Sequence, residues 1–127
     1  MANDLNGMNV LVTGASSGIG RACADAFAQR GCRLLLVARR KDRLDELASS
    51  LQERHGAEVL TASLDVRDRG AVEEWVGELS GSWRGVDILV NNAGLSRGME
   101  PLHEGDVSDW EEMIDTNVKG LLFITRA

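Results

Sequence analysis

Three glycines with fixed spacing mark the part of the sequence best suited to hold a phosphate. Gly14, Gly18 and Gly20 lie within residues 13–20, TGASSGIG, between a short apolar run and an amphipathic segment. The first glycine permits a sharp exit from a strand, the second lets a backbone approach a pyrophosphate, and the third lets a helix pack closely on a sheet. A tight turn without ligand is the alternative, but at a first strand–helix junction the pattern predicts a dinucleotide site.

A basic window follows the second apolar run and bears on the choice of dinucleotide. NAD enzymes usually carry Asp or Glu at the end of the second strand, but here the position is Ala38 and the letters RRK follow it. Cations at a helix start oppose the helix dipole, so a solvated helix start is a weaker explanation than a bound anion. We expect Arg39 to fork onto a 2′-phosphate, Arg40 to cover the adenine side, and Ser16 or Ser17 to donate from the glycine turn. NADP is therefore predicted over NAD.

Apolar runs and amphipathic segments alternate along the whole chain. Runs at residues 9–13, 34–38, 59–62 and 86–90 predict strands, and apolar stripes between and after them predict helices. The first stripe is Ile19, Ala22, Cys23, Ala26 and Phe27. The fourth helix is expected to begin at Ser108, which would be the N-cap in a capping box with Glu111. The fold class is α/β, a Rossmann-type doubly wound parallel sheet of which residues 1–127 form the amino-terminal portion, with strand order 3-2-1-4.

Four motifs in this order resemble the short-chain dehydrogenase/reductase family. They are the glycine turn with its preceding Thr13, LDV at residues 64–66, NNAG at residues 91–94, and Asn117 within DTNVKG. Residues 87–101 and 110–120 are similar, more narrowly, to NADP-dependent serine/allo-threonine (3-hydroxy acid) dehydrogenases. The resemblance implies an oxidoreductase that transfers hydride between nicotinamide and a small hydroxy or carbonyl substrate, and it also implies a homo-oligomer.

The resemblance also assigns roles to individual residues. Ile19 joins the glycine turn in binding the cofactor, Asp65 accepts a hydrogen bond from the adenine amino group, and Val66 contributes a backbone N–H. Asn92, Ala93 and Gly94 pass close to the ribose, while Asn91 ties neighbouring strands together. Asn117 is the catalytic residue, because in the family its backbone carbonyl holds a water that extends a proton relay from the catalytic lysine. From the residues alone, Asp65 and the asparagines remain open to simpler roles in turns or on a helix surface.

The sequence contains no tyrosine. The family's chemistry uses a serine and a Tyr-x-x-x-Lys pair, and Lys119 lacks the tyrosine partner. We therefore expect this chain alone to bind cofactor without catalysing hydride transfer, as part of a larger enzyme. A non-enzymatic dinucleotide-binding module and a half-fold completed by another subunit are the alternatives.

Composition excludes several other classes of function. A net charge of −6 argues against nucleic acid, and no apolar run is long enough for a membrane span. His55 and His103 stand alone, so no metal site is predicted. Cys23 and Cys32 lack CxxC spacing and suggest free thiols. Together with the absence of a secretory signal pattern at the start, this makes a cytoplasmic location the expectation.

Overall fold

A four-stranded parallel sheet organises the chain, in a computed structural model that describes residues 4–16 and 18–127. Its strands are β1 (Asn9–Thr13), β2 (Arg33–Ala38), β3 (Val59–Ser63) and β4 (Ile88–Val90). Their order across the sheet is β3-β2-β1-β4, and all three pairings are parallel. The predicted fold class and strand order are confirmed. All four strands consequently end at the same edge of the sheet.

Helices connect the strands and cover both faces. They are α1 (Gly18–Gln29), α2 (Lys41–His55), α3 (Arg69–Glu78), α4 (Val107–Ile114) and α5 (Leu121–Arg126). A π-helical segment, Asp115–Gly120, joins α4 directly to α5. Short 3₁₀ turns occur at Gly81–Trp83 and Leu102–Glu104. No helix in the described part of the chain is long and apolar enough to span a membrane.

Side chains that alternate along the strands pack into two hydrophobic cores, one on each face of the sheet. Val10 and Leu34 pack on the face covered by α1 and α2. Leu11, Leu35 and Ile124 pack on the opposite face, which α3 and α5 cover. The central strands β1 and β2 are buried almost throughout, whereas β3 and β4 at the edges are largely half-buried. This difference follows from their positions, since an edge strand has a neighbour on one side only.

The buried face of α1 differs from the predicted stripe. Gly20, Ala24 and Ala28 are its buried residues, whereas Ile19 is 74% exposed. Ala22 and Ala26 are exposed too. Small side chains let the helix approach the sheet closely, and an alanine-rich helix gives apolar periodicity little power to choose between adjacent faces. Of the predicted stripe, Cys23 and Phe27 are half-buried and Phe27 packs against the core, whereas Ile19, Ala22 and Ala26 were assigned wrongly, by about one residue.

The beginning of α4 also differs from the prediction. The helix begins at Val107, and its N-cap is Asp106, whose carboxylate accepts the backbone N–H of Ser108 at 2.9 Å. The expected N-cap, Ser108, instead donates its hydroxyl to Asp106 at 2.8 Å. A carboxylate satisfies the free N–H groups and complements the positive end of the helix dipole, so the earlier residue takes the cap.

The β4 edge of the sheet and one helical surface have no neighbouring element within the described part of the chain. In the described sheet, β4 pairs with β1 alone. Ile114, Val118, Leu121 and Leu122, here called the α4–α5 apolar stripe, are each at least 40% exposed. Open strand edges and contiguous apolar patches both favour association with another chain.

We therefore predict that the 127-residue chain self-associates. Size-exclusion chromatography with light scattering should report masses above the 13.8 kDa of one chain, increasing with concentration. Leu122→Lys should shift the distribution towards monomer, because a charge in the α4–α5 apolar stripe opposes its burial. A parent chain that is monomeric at every concentration would contradict this prediction.

Candidate functional site

A cavity of about 400 Å³ opens at the carboxyl edge of the sheet. Its lining comes from the segments that follow each of the four strands, together with one residue of the π-helical segment. The lining residues are Gly14, Ser16, Ile19, Val37, Ala38, Arg39, Arg40, Leu64, Asp65, Val66, Asn92, Ala93, Gly94, Leu95 and Thr116. In open parallel sheets, this edge is the usual place for ligands.

The buried hydroxyl of Thr13 fixes the floor of the cavity. Its oxygen accepts the backbone N–H groups of Asn92 at 3.0 Å and Ala93 at 2.9 Å. The Asn92 side chain in turn donates to the carbonyl of Gly14 at 3.0 Å. Thr13 ends β1 and Asn92 follows β4, so these bonds join the ends of two adjacent strands.

Glycine is required at two positions because these segments lie so close together. Gly14 has a φ of +62°, and a Cβ there would lie 2.9 Å from the Cα of Ala93. A Cβ on Gly20 would lie 2.5 Å from the side-chain nitrogen of Asn92. Both separations are too short for non-bonded heavy atoms, and a Cβ on Gly20 would meet the carbonyl oxygen of Gly14 even more closely. A side chain at position 14 would therefore push the turn away from the end of β4, whereas one at position 20 would push the start of α1 away from the turn itself.

The wall after β2 is cationic. Ala38 lines the cavity and is nearly buried, and the exposed residues Arg39 and Arg40 follow it. The carbonyl of Arg39 accepts the Ser63 hydroxyl at 2.9 Å, which fixes its backbone beside the end of β3. Neither arginine forms an ion pair with any described residue of the chain. Their charges are therefore available to an anionic ligand, and no carboxylate at position 38 repels one.

The wall after β3 combines apolar surface with one carboxylate. Leu64 and Val66 are nearly buried on either side of Asp65, which lines the cavity. Arg67 donates to both oxygens of Asp65, with Nη2–Oδ2 at 2.7 Å and Nε–Oδ1 at 3.0 Å. The Arg67 hydrogen bonds lower the pKa of Asp65 below its ordinary value, so the carboxylate stays ionised. An ionised carboxylate here accepts hydrogen bonds from a ligand that lies against the apolar surface.

Asn117 does not line the cavity, but its side chain hydrogen-bonds to Leu95, which does. Its side-chain oxygen accepts the backbone N–H of Leu95 at 2.8 Å, and its side-chain nitrogen donates to the Leu95 carbonyl at 2.8 Å. This pair holds the segment after β4 against the π-helical segment. The adjacent Thr116 lines the cavity, and its buried hydroxyl has no hydrogen-bond partner among the described residues.

Asn91 differs from its expected role. The Asn91 side chain donates to the hydroxyl of Thr125 in α5 at 2.9 Å, so it links the end of β4 to a helix rather than to a neighbouring strand. The link to the neighbouring strand is made by Asn92 and Thr13. Adjacent residues of an extended segment point to opposite sides, and the sequence did not show which asparagine faces β1.

Most of the predicted cofactor-binding residues lie together around this cavity. Those that line it are Gly14, Ser16, Ile19, Arg39, Arg40, Asp65, Val66, Asn92, Ala93 and Gly94. Gly18, Gly20 and Asn117 lie next to lining residues, and Ser17 is outside the described residues. Within residues 4–16 and 18–127, no cluster of three or more metal-ligating side chains occurs.

Sequence reasoning did not identify Thr116, Leu95 or Arg67. Nothing in the sequence marked Thr116 as a cavity-lining residue except its position next to Asn117. Arg67 lies two residues from Asp65, a spacing that would have suggested the ion pair.

Comparison with known proteins agrees with this arrangement. The chain is 51% identical over 120 residues to the NADP-dependent 3-hydroxy acid dehydrogenase YdfG of Salmonella typhi, covering 94% of this chain and 47% of the relative. It is also 51% identical over 118 residues to sulfoacetaldehyde reductase 2 of Chromohalobacter salexigens, covering 93% and 46%. Serine dehydrogenase from Escherichia coli matches with a TM-score of 0.84 and 48% identity, over 94% of this chain and 54% of that structure.

The chain spans about half the length of the curated relatives it matches. The family model described as short chain dehydrogenase matches residues 8–127, which include every strand and helix described above. With its parallel sheet, glycine turn and carboxyl-edge cavity, the chain belongs to the short chain dehydrogenase family.

Proposed function

We propose that this chain forms the NADP(H)-binding part of an oxidoreductase that acts on a small hydroxy or carbonyl substrate. The observation that carries the proposal is the meeting of three features in one cavity. These are the glycine turn, the ionised Asp65 after β3, and the unpaired cations Arg39 and Arg40 after β2. Together they match a ligand that carries a pyrophosphate, a base with a hydrogen-bond donor, and an additional phosphate.

The residues around the cavity fit NADP(H). The glycine turn provides backbone N–H groups at the start of α1 for the pyrophosphate. Arg39 and Arg40 would hold the 2′-phosphate, since guanidinium groups pair with phosphate through two parallel hydrogen bonds. Leu64, Asp65 and Val66 would hold the adenine.

Hydride transfer would be supplied by the nicotinamide of the bound cofactor. This chain's residues bind and orient the cofactor, and Asn117 holds the segment beside it through Leu95. We also propose Asn117 as the residue whose backbone carbonyl takes part in a proton relay. A small 3-hydroxy acid such as serine is the proposed substrate, supported by the names of the two similar dehydrogenases. The similar sulfoacetaldehyde reductase also acts on a small substrate with an acidic group.

The proposal includes a homo-oligomer in the cytoplasm. The α4–α5 apolar stripe supports assembly, because burying its four exposed side chains against another subunit would remove apolar surface from water. Cys23 and Cys32 are both free thiols, which is typical of a reducing compartment.

Gly18→Ala should weaken NADP(H) binding at least tenfold, measured by isothermal titration calorimetry. Gly18 has a φ of +59°, and an added Cβ meets no described protein atom within 4 Å. The substitution should therefore cost only about 1–2 kcal/mol of folding stability through backbone strain. Any larger effect on binding then comes from the methyl group occupying space needed by the pyrophosphate.

Gly56→Ala is the matched control for this experiment. Gly56 ends α2 with a φ of +64° and has equally open surroundings, but it does not line the cavity. Both variants should unfold at similarly reduced temperatures, and Gly56→Ala should bind NADP(H) like the parent. Equal binding by parent and Gly18→Ala would mean that Gly18 serves the turn alone.

Arg39→Asp should reverse the cofactor preference towards NAD(H). Losing a charge-assisted contact to phosphate removes roughly 1.5–3 kcal/mol, which is about tenfold or more in affinity, and the new carboxylate repels the 2′-phosphate while accepting ribose hydroxyls. Titrations with NADP(H) and NAD(H) measure the ratio. Arg84→Asp makes the same charge change beside the Gly81–Trp83 turn, away from the cavity, and should leave the ratio unchanged. Equal affinity of the parent for both cofactors would refute the proposed NADP preference.

The 127-residue chain should show no NADP-linked turnover of serine or another 3-hydroxy acid. It contains no tyrosine to exchange a proton with the substrate oxygen. Absorbance of the reduced nicotinamide measures turnover, and E. coli serine dehydrogenase assayed in parallel shows that the conditions permit the reaction. Turnover that co-elutes with this chain and is lost in Gly18→Ala would show that the chain does not need a tyrosine.

A further inference from the structure

A chain of charged side chains runs from the adenine end of the cavity to the loop after β4. Arg67 contacts Asp65 through its fork, and its remaining terminal nitrogen lies 3.7 Å from Oε1 of Glu112 in α4. Arg97, in the loop after β4, lies 3.3 Å from the same Glu112 oxygen. Asp65, Arg67 and Glu112 have side chains about one-third exposed or less, so solvent screens these pairs only in part.

The hydrogen bonds of Asp65 are almost fully used by Arg67. The backbone N–H of Arg67 donates to Oδ1 at 3.0 Å, Nε donates to both oxygens, and Nη2 donates to Oδ2. A carboxylate offers about four acceptor positions. Three donor groups from one neighbouring residue fix the plane of the carboxylate and leave about one position for a ligand.

Because Asp65 lines the cavity, the orientation of its carboxylate bears on recognition. A single contact would leave the carboxylate free to rotate, and binding would then have to order it. A bidentate arginine imposes the orientation before the ligand arrives, which lowers the cost of binding. Arg67 also forms a looser ion pair with Glu112, at 3.7 Å, which adds an electrostatic attraction towards α4.

We infer that Arg67 is a positioning residue that presents Asp65 to the exocyclic amino group of the bound adenine and is anchored to α4 by Glu112. The inference rests on the proposed binding of NADP(H). It assigns to Arg67 a contribution to base selectivity, exerted through Asp65, without contact between Arg67 and the cofactor. Glu112 contributes by holding the arginine, and Arg97 extends the link to the loop after β4.

The test compares NADP(H) with its hypoxanthine analogue, in which a carbonyl oxygen replaces the amino group. The parent protein should bind NADP(H) more tightly than the analogue, because an oriented carboxylate accepts from the amino group and repels the carbonyl. Arg67→Met should weaken NADP(H) binding about tenfold, the scale of one charge-assisted hydrogen bond, and should change binding of the analogue much less. Glu112→Gln should produce a smaller change in the same direction.

Control variants separate positioning from general effects on folding or charge. Arg69→Met removes an arginine from an exposed pair with Glu73 on α3, and it should leave both affinities unchanged. Arg67→Lys keeps the charge without the fork, and it should retain part of the selectivity while remaining folded by thermal unfolding. In an Asp65→Ala background, Arg67→Met should not change the ratio of the two affinities further.

The outcomes distinguish this inference from the proposed function. Selective loss of NADP(H) affinity in Arg67→Met, absent in the Asp65→Ala background, would support the inference. Equal loss for NADP(H) and the analogue, or no loss, would overturn it while leaving NADP(H) binding intact. A folded parent that binds neither dinucleotide would overturn the proposed function and the inference together.

Discussion

The buried hydroxyl of Thr13 is the contact on which the geometry of the cavity depends. A hydroxyl has one proton and two lone pairs, and Thr13 accepts two successive N–H groups while its proton is directed to the carbonyl of Val90 at 3.4 Å. The segment after β4 must therefore leave the sheet beside the end of β1. This proximity is the reason that Gly14 cannot carry a side chain, whereas Gly20 is required mainly because α1 begins against the carbonyl of Gly14. The shape of the glycine turn therefore depends on the segment after β4 as well as on its own sequence.

The features that sequence reasoning predicted are those encoded by neighbouring residues. Alternation of apolar runs gave the parallel sheet and its order, and the glycine spacing located the turn after β1. Arg39 and Arg40 were predicted to lie at the ligand site, and both line the cavity. The prediction was possible because they directly follow the end of β2, which fixes their position. Each of these inferences needs only the local chain and the rule that parallel strands end at one edge.

The features that it missed depend on contacts between distant segments. Glu112 in α4 meets Arg67 after β3, and Asn91 meets Thr125 in α5, although no local pattern pairs them. The face of α1 was misassigned because alanine is compatible with either side, whereas close approach to the sheet selects Gly20, Ala24 and Ala28. The N-cap of α4 was missed for a different reason. Asp106 and Ser108 are both good capping residues, so residue type alone did not show that the helix begins at the earlier one, where the Asp106 carboxylate accepts the Ser108 N–H.

The arginines near the cavity of this acidic chain fall into two groups, which differ in whether they form ion pairs. A net charge of −6 repels a polyanionic dinucleotide at long range, so its binding must rely on short-range contacts at the cavity. Arg39 and Arg40 supply positive charge after β2, while Arg67 is committed to Asp65 and Glu112. The two sets of arginines are therefore not interchangeable. In the function proposed above, Arg39 and Arg40, which form no ion pair with a described residue, would bind phosphate, whereas Arg67, which is already paired, would orient the Asp65 carboxylate towards a neutral base. The π-helical segment contributes to the cavity through two successive residues, because Thr116 lines it while Asn117 holds Leu95 and with it the loop after β4.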